Sequence, residues 1–436
     1  MENSDRSDSA KCLTRWVREA RARTLDLVAD LDDDQVIGPK LPTNNPLLWE
    51  IGHVAWFQEN WVLRHIGGHK PILANGDDLY DSINIPHDVR WDLPLLSRDR
   101  ALRYIGQVRD HVLELIDHEQ LTERAIYFVK LSVFHEDMHT ESFTYARQTL
   151  AYPAPTFSTS CSPLRRQRCN AATVGADRAY GDVEISGGTF QLGARQEAPF
   201  VFDNEKWTHP VTIEPFAIAR TAATQSQFAE FVDDDGYQRR QLWSDDGWQW
   251  REETGATHPL HWKSDGNGKW RRRHFDQWQP VEPDFPVIHV NWYEADAYCR
   301  WACRRLPSEA EWERAAAGSD KRHYPWGDSA PSPERANLDW QAMGPVDVAA
   351  HEAGESTGGC RQMLGNLWEW TATTCRPYPG FVADPYQAYT QTSFGKCKIL
   401  RGGCWATRSR LLRNTWRNFY QPDRRDVFAG FRTCAP

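Results

Sequence analysis

The sequence lacks any run of about 18 consecutive apolar residues, the length that indicates a membrane-spanning helix. Its opening residues, MENSDRSDSAKC, lack the apolar core of a signal peptide. Charge of one sign is never concentrated: 51 basic and 60 acidic residues give a net charge of -9 without the basic patch that binds nucleic acid or anionic membranes. We therefore expect a cytoplasmic protein that binds small molecules and neither nucleic acid nor a membrane. The number of subunits is not predicted.

Two further absences concern cysteine spacing and repetition. None of the 10 cysteines belongs to a CxxC pair, so neither a zinc ribbon nor a thioredoxin-type motif is supported. Most of them should be reduced thiols in the cytoplasm, although their spacing leaves a disulfide in the second half open. No segment repeats at a fixed period, which argues against a propeller or a solenoid.

The first third of the chain has apolar residues at helical spacing. From about residue 10 to residue 150 this pattern predicts four helices, near 10–31, 45–68, 98–119 and 122–150. Between the second and third, the segment ILANGDDLYDSINIPHDVRWDLPLLSR is too long for a simple turn between helices. We expect it to form a loop that lines a pocket.

A stretch rich in Pro, Ser and Arg, residues 153–179, predicts a linker between two domains, 10–152 and 180–436. The second domain alternates short strand-like runs with turns. Two helices are predicted to interrupt it, in TQSQFAEFVDD and in NWYEADAYCRWACRRLPSEAEWERAAAG. Most of the 21 tryptophans lie beyond position 240, which predicts a domain with little regular structure and much buried ring surface.

Three histidines form a candidate metal site. In FVKLSVFHEDMHTESF, His135 and His139 are four residues apart, so a helix places both imidazoles on one face, where they can share a cation. His53 lies among the apolar residues of LLWEIGHVAWFQ, on the second predicted helix. Three neutral imidazoles from two helices leave coordination positions open for a substrate and O2.

The spacing leaves alternatives open. Two histidines four apart also occur as half-buried side chains bonded to carbonyl groups, and imidazole binds zinc, copper, nickel and iron alike. Three carboxylates adjoin the pair, Glu136, Asp137 and Glu141. The first two are expected to support the ligands or to face solvent rather than to bind a metal.

Motifs along the chain resemble two known domains. The first half is similar to a DinB-like four-helix bundle, whose metal site takes one His from the second helix and an HxxxH pair from the last. The second half carries, in order, GGTFQLG, PVIHVNWYEADAYCRW, RLPSEAEWERAAAG, YPWGD, GNLWEWT, LRGGCWAT and FAGFR. These motifs resemble the formylglycine-generating-enzyme (sulfatase-modifying) domain, which has a C-type-lectin-like fold. The expected fold class is therefore α+β, with the bundle first and the lectin-like domain second.

The combination of the two domains resembles the ergothioneine sulfoxide synthases and their relatives the selenoneine synthases, over nearly the whole chain. In that family, iron(II) on three histidines and O2 join a sulfur or selenium donor to C2 of the imidazole of hercynine, the trimethylated betaine of histidine. The resemblance implies an Fe(2+)- and O2-dependent oxidoreductase whose metal ligands are His53, His135 and His139.

The resemblance also implies substrate contacts in RNFYQPDRRDVFAGFR, near the C-terminus. Asn418 matches a residue that binds the hercynine carboxylate, and Phe419 stands where the family has Trp. An amide and an aromatic ring suit a carboxylate and a quaternary ammonium. Arg424 matches an Arg that binds the carboxylate of the thiol donor. Tyr378, in CRPYPGF, is the candidate for the Tyr that acts as an acid in the sulfur enzymes, a position that a packed loop aromatic would fit equally.

Departures from the sulfur enzymes bear on the donor. Tyr420 replaces an Asp that binds the ammonium of gamma-glutamylcysteine, and Met138 replaces a Gln just before the last His ligand. The loop that often reads YLFNSYY in the sulfoxide synthases reads DLYDSINIPHDVRWDLPL here, similar to the selenoneine synthase branch. These changes leave an amino-acid donor without a partner for its ammonium and favour an uncharged, hydroxyl-rich donor such as a selenosugar.

In this hypothesis the loop residues Asp78, Asp81 and Arg90 bind the donor. The alternative is an ergothioneine sulfoxide synthase that joins cysteine or gamma-glutamylcysteine to hercynine. Two other classes compete. A formylglycine-generating enzyme needs a pair of C-terminal cysteines, but no second Cys follows Cys404 at the required spacing, and Cys404 and Cys434 are expected to be small core residues. A non-catalytic lectin-like binding module would have no need of three convergent histidines.

Overall fold

The computed structural model describes residues 2–118, 121–158 and 180–436. The chain divides into two compact units, Met1–Ser162 and Pro163–Pro436. The division falls within the stretch predicted as a linker, of which residues 159–179 lie outside the described residues. Within the described ranges, no helix combines the length and the apolar composition that crossing a membrane would require.

The first unit is built from helices, and four of them are long. The helices are α1 (Glu2–Asp26), α2 (Asp33–Ile37), α3 (Leu47–Gln58), α4 (Gly76–Tyr80), α5 (Arg98–His118) and α6 (Glu123–Thr149). The four predicted helices correspond to α1, α3, α5 and α6. The second of these was predicted too long: α3 ends at Gln58 and continues only as a π-helical turn, Glu59–Arg64.

Helix α3 runs through the centre of the bundle. All 12 of its residues are buried, in agreement with a sequence that is apolar on every side. Helix α1 presents a buried stripe that includes Leu13, Val17 and Ala20. Helix α6 begins where the hydroxyl of Thr122 accepts a hydrogen bond from the backbone N–H of Ala125.

A buried ion pair joins α1 to α6. The guanidinium of Arg21 contacts the carboxylate of Glu136 at 2.9 Å, and Thr24 donates a hydrogen bond to the same carboxylate. Glu136 is not among the grouped candidate ligands, as expected, but it does not face solvent, because its charge is used inside the bundle. Breaking such a pair by removing one partner costs about 3–5 kcal/mol, since the other charge stays buried.

Across residues 180–436, the second unit has eleven short strands in four small sheets. The strands are β1 (Asp182–Ile185), β2 (Gly188–Leu192), β3 (His209–Ile213), β4 (Phe216–Ala219), β5 (Trp262–Ser264), β6 (Trp270–His274), β7 (Gln277–Pro280), β8 (Trp368–Thr374), β9 (Lys398–Arg401), β10 (Asn418–Tyr420) and β11 (Ala429–Gly430). The sheets have the orders β10-β9-β8-β11, β5-β6-β7, β2-β3 and β1-β4. Only the β8–β11 pair is parallel among these described strands.

In the described part of this unit, four helices accompany the sheets, α7 (Gln225–Asp233), α8 (Asp245–Thr254), α9 (Trp292–Trp301) and α10 (Glu309–Ala317). The first predicted helix is confirmed as α7. The second was predicted as one element, but it is two helices, because Pro307 cannot continue a helix and Ser308 caps a new one with Glu311. Helix α8 was not predicted, because the acidic residues at its start and Gly247 interrupt the apolar spacing that indicates a helix.

Tryptophan fills the core of the second unit, as its abundance predicts. The side chains of Trp312, Trp340, Trp368, Trp370 and Trp405 are fully buried. Cys404 and Cys434 are also fully buried, which is the expected environment of small core residues. No disulfide joins the cysteines in the described ranges.

Candidate metal centre

His53, His135 and His139 come together inside the first unit. Their ligand atoms all lie within 4.8 Å of one another. His53 belongs to α3, and the other two lie one turn apart on α6. The first two are buried, at 2% and 4% exposure, whereas His139 is half-buried.

The ring of His53 is fixed by the backbone of the following loop and by two indoles. Its Nδ1 lies 2.8 Å from the carbonyl oxygen of Tyr80, which selects the tautomer that donates from Nδ1 and leaves Nε2 free to bind a metal. Trp49 stacks on one side of the ring at a centroid distance of 4.7 Å, and Trp56 lies at 6.0 Å. These residues precede and follow His53 by about one turn of the same helix.

The ring of His139 is held by a carboxylate. Its Nδ1 hydrogen-bonds Oε2 of Glu50, a residue of α3 with 1% exposure. The other oxygen of Glu50 accepts hydrogen bonds from the amide of Asn45, at 2.6 Å, and from Ser142, at 3.3 Å. A carboxylate that receives the Nδ1–H of a histidine orients the ring and makes Nε2 a better ligand.

His135 packs against Phe57 of α3, with the two rings nearly parallel and 3.6 Å apart. Its Nε2 lies 3.2 Å from Nε2 of His139. The four-residue spacing on α6 therefore directs two Nε2 atoms toward one point, as the sequence predicted.

The charges of the site follow from its burial. Burial, and after it the neighbouring charge of His139, lowers the pKa of His53 to about 3. The same two causes lower the pKa of His135 well below its ordinary value. Burial acts to raise the pKa of Glu50, but His139 and His53 outweigh it and hold that pKa at about 2. At neutral pH the site therefore contains neutral His53 and His135 beside an ionised carboxylate.

This donor set fits a divalent transition metal. Imidazole nitrogens bind such ions at about 2.1 Å, so two ligands of one ion lie at most about 4.2 Å apart. The separations here need only small side-chain rotations to reach that range. Neutral rings, a supporting carboxylate and a supporting carbonyl are the features that protein metal sites share.

The loop between α3 and α5 lies against this site. Arg90 is buried, and its guanidinium donates to the side chain of Asn45, at 2.7 Å, and to the carbonyl of Ile85, at 3.0 Å. Asp81 instead accepts hydrogen bonds from Ile83 and Asn84 within its own turn. Asp78 is exposed. The three loop residues predicted to bind the donor thus differ in environment, and only Arg90 has contacts that lead to the metal ligands.

Strand β10 separates the predicted substrate contacts of the second unit. Asn418 and Tyr420 alternate with Phe419 along the strand, so the two sets of side chains point to opposite faces. Phe419 packs against the buried cluster of Cys375, Cys397 and Ile399. The aromatic partner predicted for a quaternary ammonium therefore lies on the other face from Asn418.

The charged neighbours of Tyr420 are already paired. Arg424, 5.3 Å from the ring of Tyr420, forms a two-point ion pair with Asp426, in which Nη2 and Oδ2 are 3.0 Å apart. Lys398 lies opposite Tyr420 in the β9–β10 register, and its ammonium sits 3.9 Å over the ring of Trp292. Sequence reasoning missed Lys398, because only the strand register brings it beside Tyr420.

Two further predicted residues have defined surroundings. Tyr378 is buried, and its hydroxyl donates to Glu309 at 3.3 Å while the guanidinium of Arg417 lies 4.0 Å from its ring. Burial raises the pKa of Tyr378 well above its ordinary range. Its role as an acid stays a prediction. Met138 is half-buried on α6, next to His139.

The residues that support the ligands were not predicted. Glu50 lies three positions before His53, and a carboxylate one turn from a suspected ligand is the only signal that the sequence offered for it. Asn45 precedes the helix and is hydrogen-bonded to that carboxylate across five residues. Neither apolar spacing nor motif matching identifies such a contact.

Comparison with known proteins assigns both units to families. Residues 17–142 match the DinB superfamily, and residues 170–435 match the Sulfatase-modifying factor enzyme 1-like domain. These matches agree with the α+β organisation predicted from the sequence and found in the structure.

Two relatives match this chain over almost its whole length. The chain is 38% identical over 433 residues to a hercynine oxygenase of Mycolicibacterium thermoresistibile, covering 96% of this chain and 94% of the relative. It is 38% identical over 433 residues to a hercynine oxygenase of Mycobacterium tuberculosis, covering 97% and 98%. A formylglycine-generating enzyme of Thermomonospora curvata is 32% identical over 296 residues, but those cover only 59% of this chain. The two former relatives therefore align with both units.

Proposed function

Since this chain belongs to the hercynine oxygenase family, which resembles the ergothioneine sulfoxide synthases, we propose that it is an O2-dependent oxidoreductase that modifies hercynine. The observation that carries the proposal is the convergence of His53, His135 and His139 in a chain that aligns with these relatives over nearly its whole length. We assign iron(II) to the three histidines as the resident metal.

The bound iron would supply the redox chemistry that O2 requires and open positions for substrate. The protein side chains supply the rest. Glu50 and the carbonyl of Tyr80 hold the rings of His139 and His53, so that their Nε2 atoms are oriented toward a shared metal. The stacked rings of Trp49 and Phe57 exclude water from the sides of His53 and His135.

For the second substrate we propose an uncharged, hydroxyl-rich selenium donor of the selenosugar class, which would form a carbon–selenium bond at C2 of the hercynine imidazole. Two contacts in the second unit support this choice. Arg424 is already paired through Nε and Nη2 with Asp426, so part of its charge is balanced within the protein before any donor carboxylate binds. Tyr420, beside it, offers a hydroxyl and no charge to a donor ammonium.

The alternative donor is a thiol, either cysteine or gamma-glutamylcysteine, which would make the product a sulfoxide. The names of the relatives are those of hercynine oxygenases and carry no information on selenium. The position of Lys398 opposite Tyr420 favours a donor with a carboxylate, because an ammonium could bind it. That ammonium, however, already contacts Thr374 at 3.3 Å and the ring of Trp292.

The deciding experiment supplies the donors side by side. The purified chain is reconstituted with iron(II) without O2 and then exposed to O2 with hercynine and a selenosugar, cysteine or gamma-glutamylcysteine, and the products are identified by mass spectrometry. A selenium adduct formed only from the selenosugar supports the proposal. Formation of a sulfoxide from a thiol would show that the donor atom is sulfur rather than selenium. No product from any donor, with iron bound, contradicts the assignment of hercynine and favours a binding module.

A paired substitution tests the donor site directly. Tyr420→Asp restores the charge expected in the sulfur enzymes, and it should raise turnover with gamma-glutamylcysteine relative to the selenosugar by about tenfold or more. Tyr420→Phe serves as the control, because it keeps the ring and removes only the hydroxyl. An unchanged ratio in Tyr420→Asp would exclude Tyr420 from the donor site.

A further inference from the structure

Arg90 lies in the loop between α3 and α5, and it is 8% exposed. Two carbonyl groups of its own loop accept hydrogen bonds from its Nη2, those of Ile85 at 3.0 Å and Ser82 at 3.3 Å. These contacts fix the plane of the guanidinium. The remaining contacts of the group run from the loop toward helix α3.

The first set of contacts leads to His139. Nη1 of Arg90 donates to Oδ1 of Asn45 at 2.7 Å, and Nδ2 of Asn45 donates to Oε1 of Glu50 at 2.6 Å. The other oxygen of Glu50 accepts a hydrogen bond from Nδ1 of His139. Because Asn45 accepts with its oxygen and donates with its nitrogen, Arg90 sets which way the amide faces and thus orients the carboxylate.

The second set leads to His53. The guanidinium carbon of Arg90 lies 4.0 Å from the centre of the ring of Trp49, within the range of a cation–π contact. Trp49 also stacks on His53, with the ring centroids 4.7 Å apart and an interplanar angle of 11°. The indole N–H donates to the carbonyl of Leu79 at 2.8 Å, so the ring cannot turn freely. Arg90 and His53 therefore both contact the ring of Trp49.

From these two routes we infer that Arg90 is a positioning residue for two of the three metal ligands, acting on His139 through Asn45 and Glu50 and on His53 through Trp49. The inference rests on the metal site proposed above. It gives Arg90 a different task from the donor binding that the sequence suggested, because each terminal nitrogen of its guanidinium already has an acceptor within the protein.

Lysine cannot replace arginine in this arrangement. A planar fork is needed to bond Asn45 and the loop carbonyls while it stacks on an indole, and an ammonium on a flexible stem cannot do these together. Arg90→Lys keeps the positive charge near the ligands, so any change in metal binding reports lost geometry. Losses from mutating partners of metal ligands are typically about 10- to 100-fold in metal affinity.

The test measures metal binding by the full-length, metal-free protein. Cobalt(II), whose visible spectrum reports ligand geometry, is titrated into wild type, Arg90→Lys, Asn45→Ala and the double variant. Arg98→Lys is the matched control, because Arg98 also donates to backbone carbonyls, of Val28 at 2.9 Å among others, but has no route to the ligands. Thermal unfolding of each metal-free protein shows whether it is folded.

We expect Arg90→Lys to bind cobalt(II) about tenfold or more weakly, with an altered visible spectrum, while Arg98→Lys matches wild type. The double variant should lose less affinity than the product of the single losses, because both changes act on one route. A purely structural role would lower thermal stability and leave the spectrum of the bound metal as it is in wild type.

Wild-type affinity and spectrum in Arg90→Lys would overturn the inference, and so would a change confined to the Michaelis constant of the donor. Should Arg90→Lys not fold, Asn45→Ala decides between the same two outcomes. Failure of wild type itself to bind cobalt(II) would refute the metal site and with it the proposed function. If the Arg90 and Asn45 variants bind cobalt(II) normally while His135→Ala does not bind it, the positioning role is refuted but the metal site is not.

Discussion

Glu50 places a negative charge beside three imidazoles in the interior of the bundle. Burial acts to raise the pKa of this carboxyl, but His139, His53 and the hydrogen bond from Asn45 hold it at about 2. The ionised group can therefore balance part of the charge of a bound cation where water cannot. Its two oxygens have different partners, because one accepts a hydrogen bond from Nδ1 of His139 and the other accepts one from the amide of Asn45.

We expect Glu50→Gln to weaken metal binding by about 10- to 100-fold, because the amide carries no charge and binds the imidazole N–H less strongly. The measurement is a competition titration of the metal-free protein against a chelator of known affinity.

Glu59→Gln is the control for that substitution. Glu59 is buried in the same bundle, where it accepts hydrogen bonds from Tyr104 at 2.6 Å and from the N–H of Ile72 at 3.0 Å. Its loss should reduce stability and leave metal affinity near the wild-type value. Equal losses of affinity in both variants would show that a general loosening of the bundle, rather than the contact to His139, weakens binding.

His289 offers a test of electrostatics in the second unit. It is buried, and its φ is +62°. Burial lowers its pKa to about 4, against an opposing effect of Asp426. Above about pH 6.5 both the folded and the unfolded chain hold it neutral. Between pH 6.5 and 4 only the unfolded chain takes up the proton, so the free energy of unfolding falls as the pH falls, by a total of about 3 kcal/mol at most.

We expect His289→Asn to flatten the pH dependence of unfolding between pH 6.5 and 4. Asparagine is chosen because it tolerates a positive φ. The measurement is urea unfolding, followed by tryptophan fluorescence at a series of pH values. Parallel pH profiles for the variant and the wild type would contradict the assignment.

At the scale of single residues, sequence reasoning succeeded where chemistry follows local spacing. The pair four residues apart and the histidine among apolar residues do converge. It did not identify Glu50, Asn45 or Lys398, whose positions depend on loop paths and strand register. It also treated Phe419 and Asn418 as neighbours in one binding site. Side chains alternate along a strand, however, so these two lie on opposite faces.

Among the elements, helix α3 packs tightly against the short helix α4 at Gly52. A Cβ added there would overlap the ring of Tyr80. The carbonyl of Tyr80 is the acceptor for Nδ1 of His53, one residue further along α3. Glycine therefore allows the loop to reach the ligand, and its low helix propensity, about 1 kcal/mol relative to Ala, is the cost.

We expect Gly52→Ala to reduce the free energy of unfolding by about 1–3 kcal/mol through overpacking and to weaken metal binding, because Tyr80 must move. Gly106→Ala, in α5, is the matched control, since no atom lies within 4 Å of a Cβ built there. That substitution should stabilise the protein by up to about 1 kcal/mol. Urea unfolding and cobalt(II) titration of both variants check the pair, and a stabilised Gly52→Ala would refute the contact.

Elements with sustained periodicity were predictable and interrupted ones were not. Helices α5 and α6 begin and end within a few residues of their predicted positions. The π-helical turn after Gln58 and the break before Glu309 depend on local backbone geometry rather than on apolar spacing. The short helix α4 contains too few residues to show a period, and the acidic residues and Gly247 at the start of α8 weaken its pattern.

For the molecule as a whole, the position of the metal ligands has a simple consequence. His53, His135, His139, Glu50 and Arg90 all belong to the unit Met1–Ser162. We expect a fragment of residues 1–162 to bind cobalt(II) with an affinity within a few-fold of the full chain, because the ligands and their supports are retained. Titration of the fragment, checked for helicity by circular dichroism, tests this. A folded fragment that binds more than tenfold more weakly would show that the second unit contributes to the metal site.

The contacts of Arg90 also limit how this protein can be redesigned. Exchanging the loop 72–98 for that of a relative would be the obvious way to alter donor choice by recombination. An imported loop without an arginine matched to Asn45 and Trp49 would disturb both ligand-bearing helices at once. A chimera should therefore have its crossover before residue 45, so that the loop is transplanted together with the start of α3.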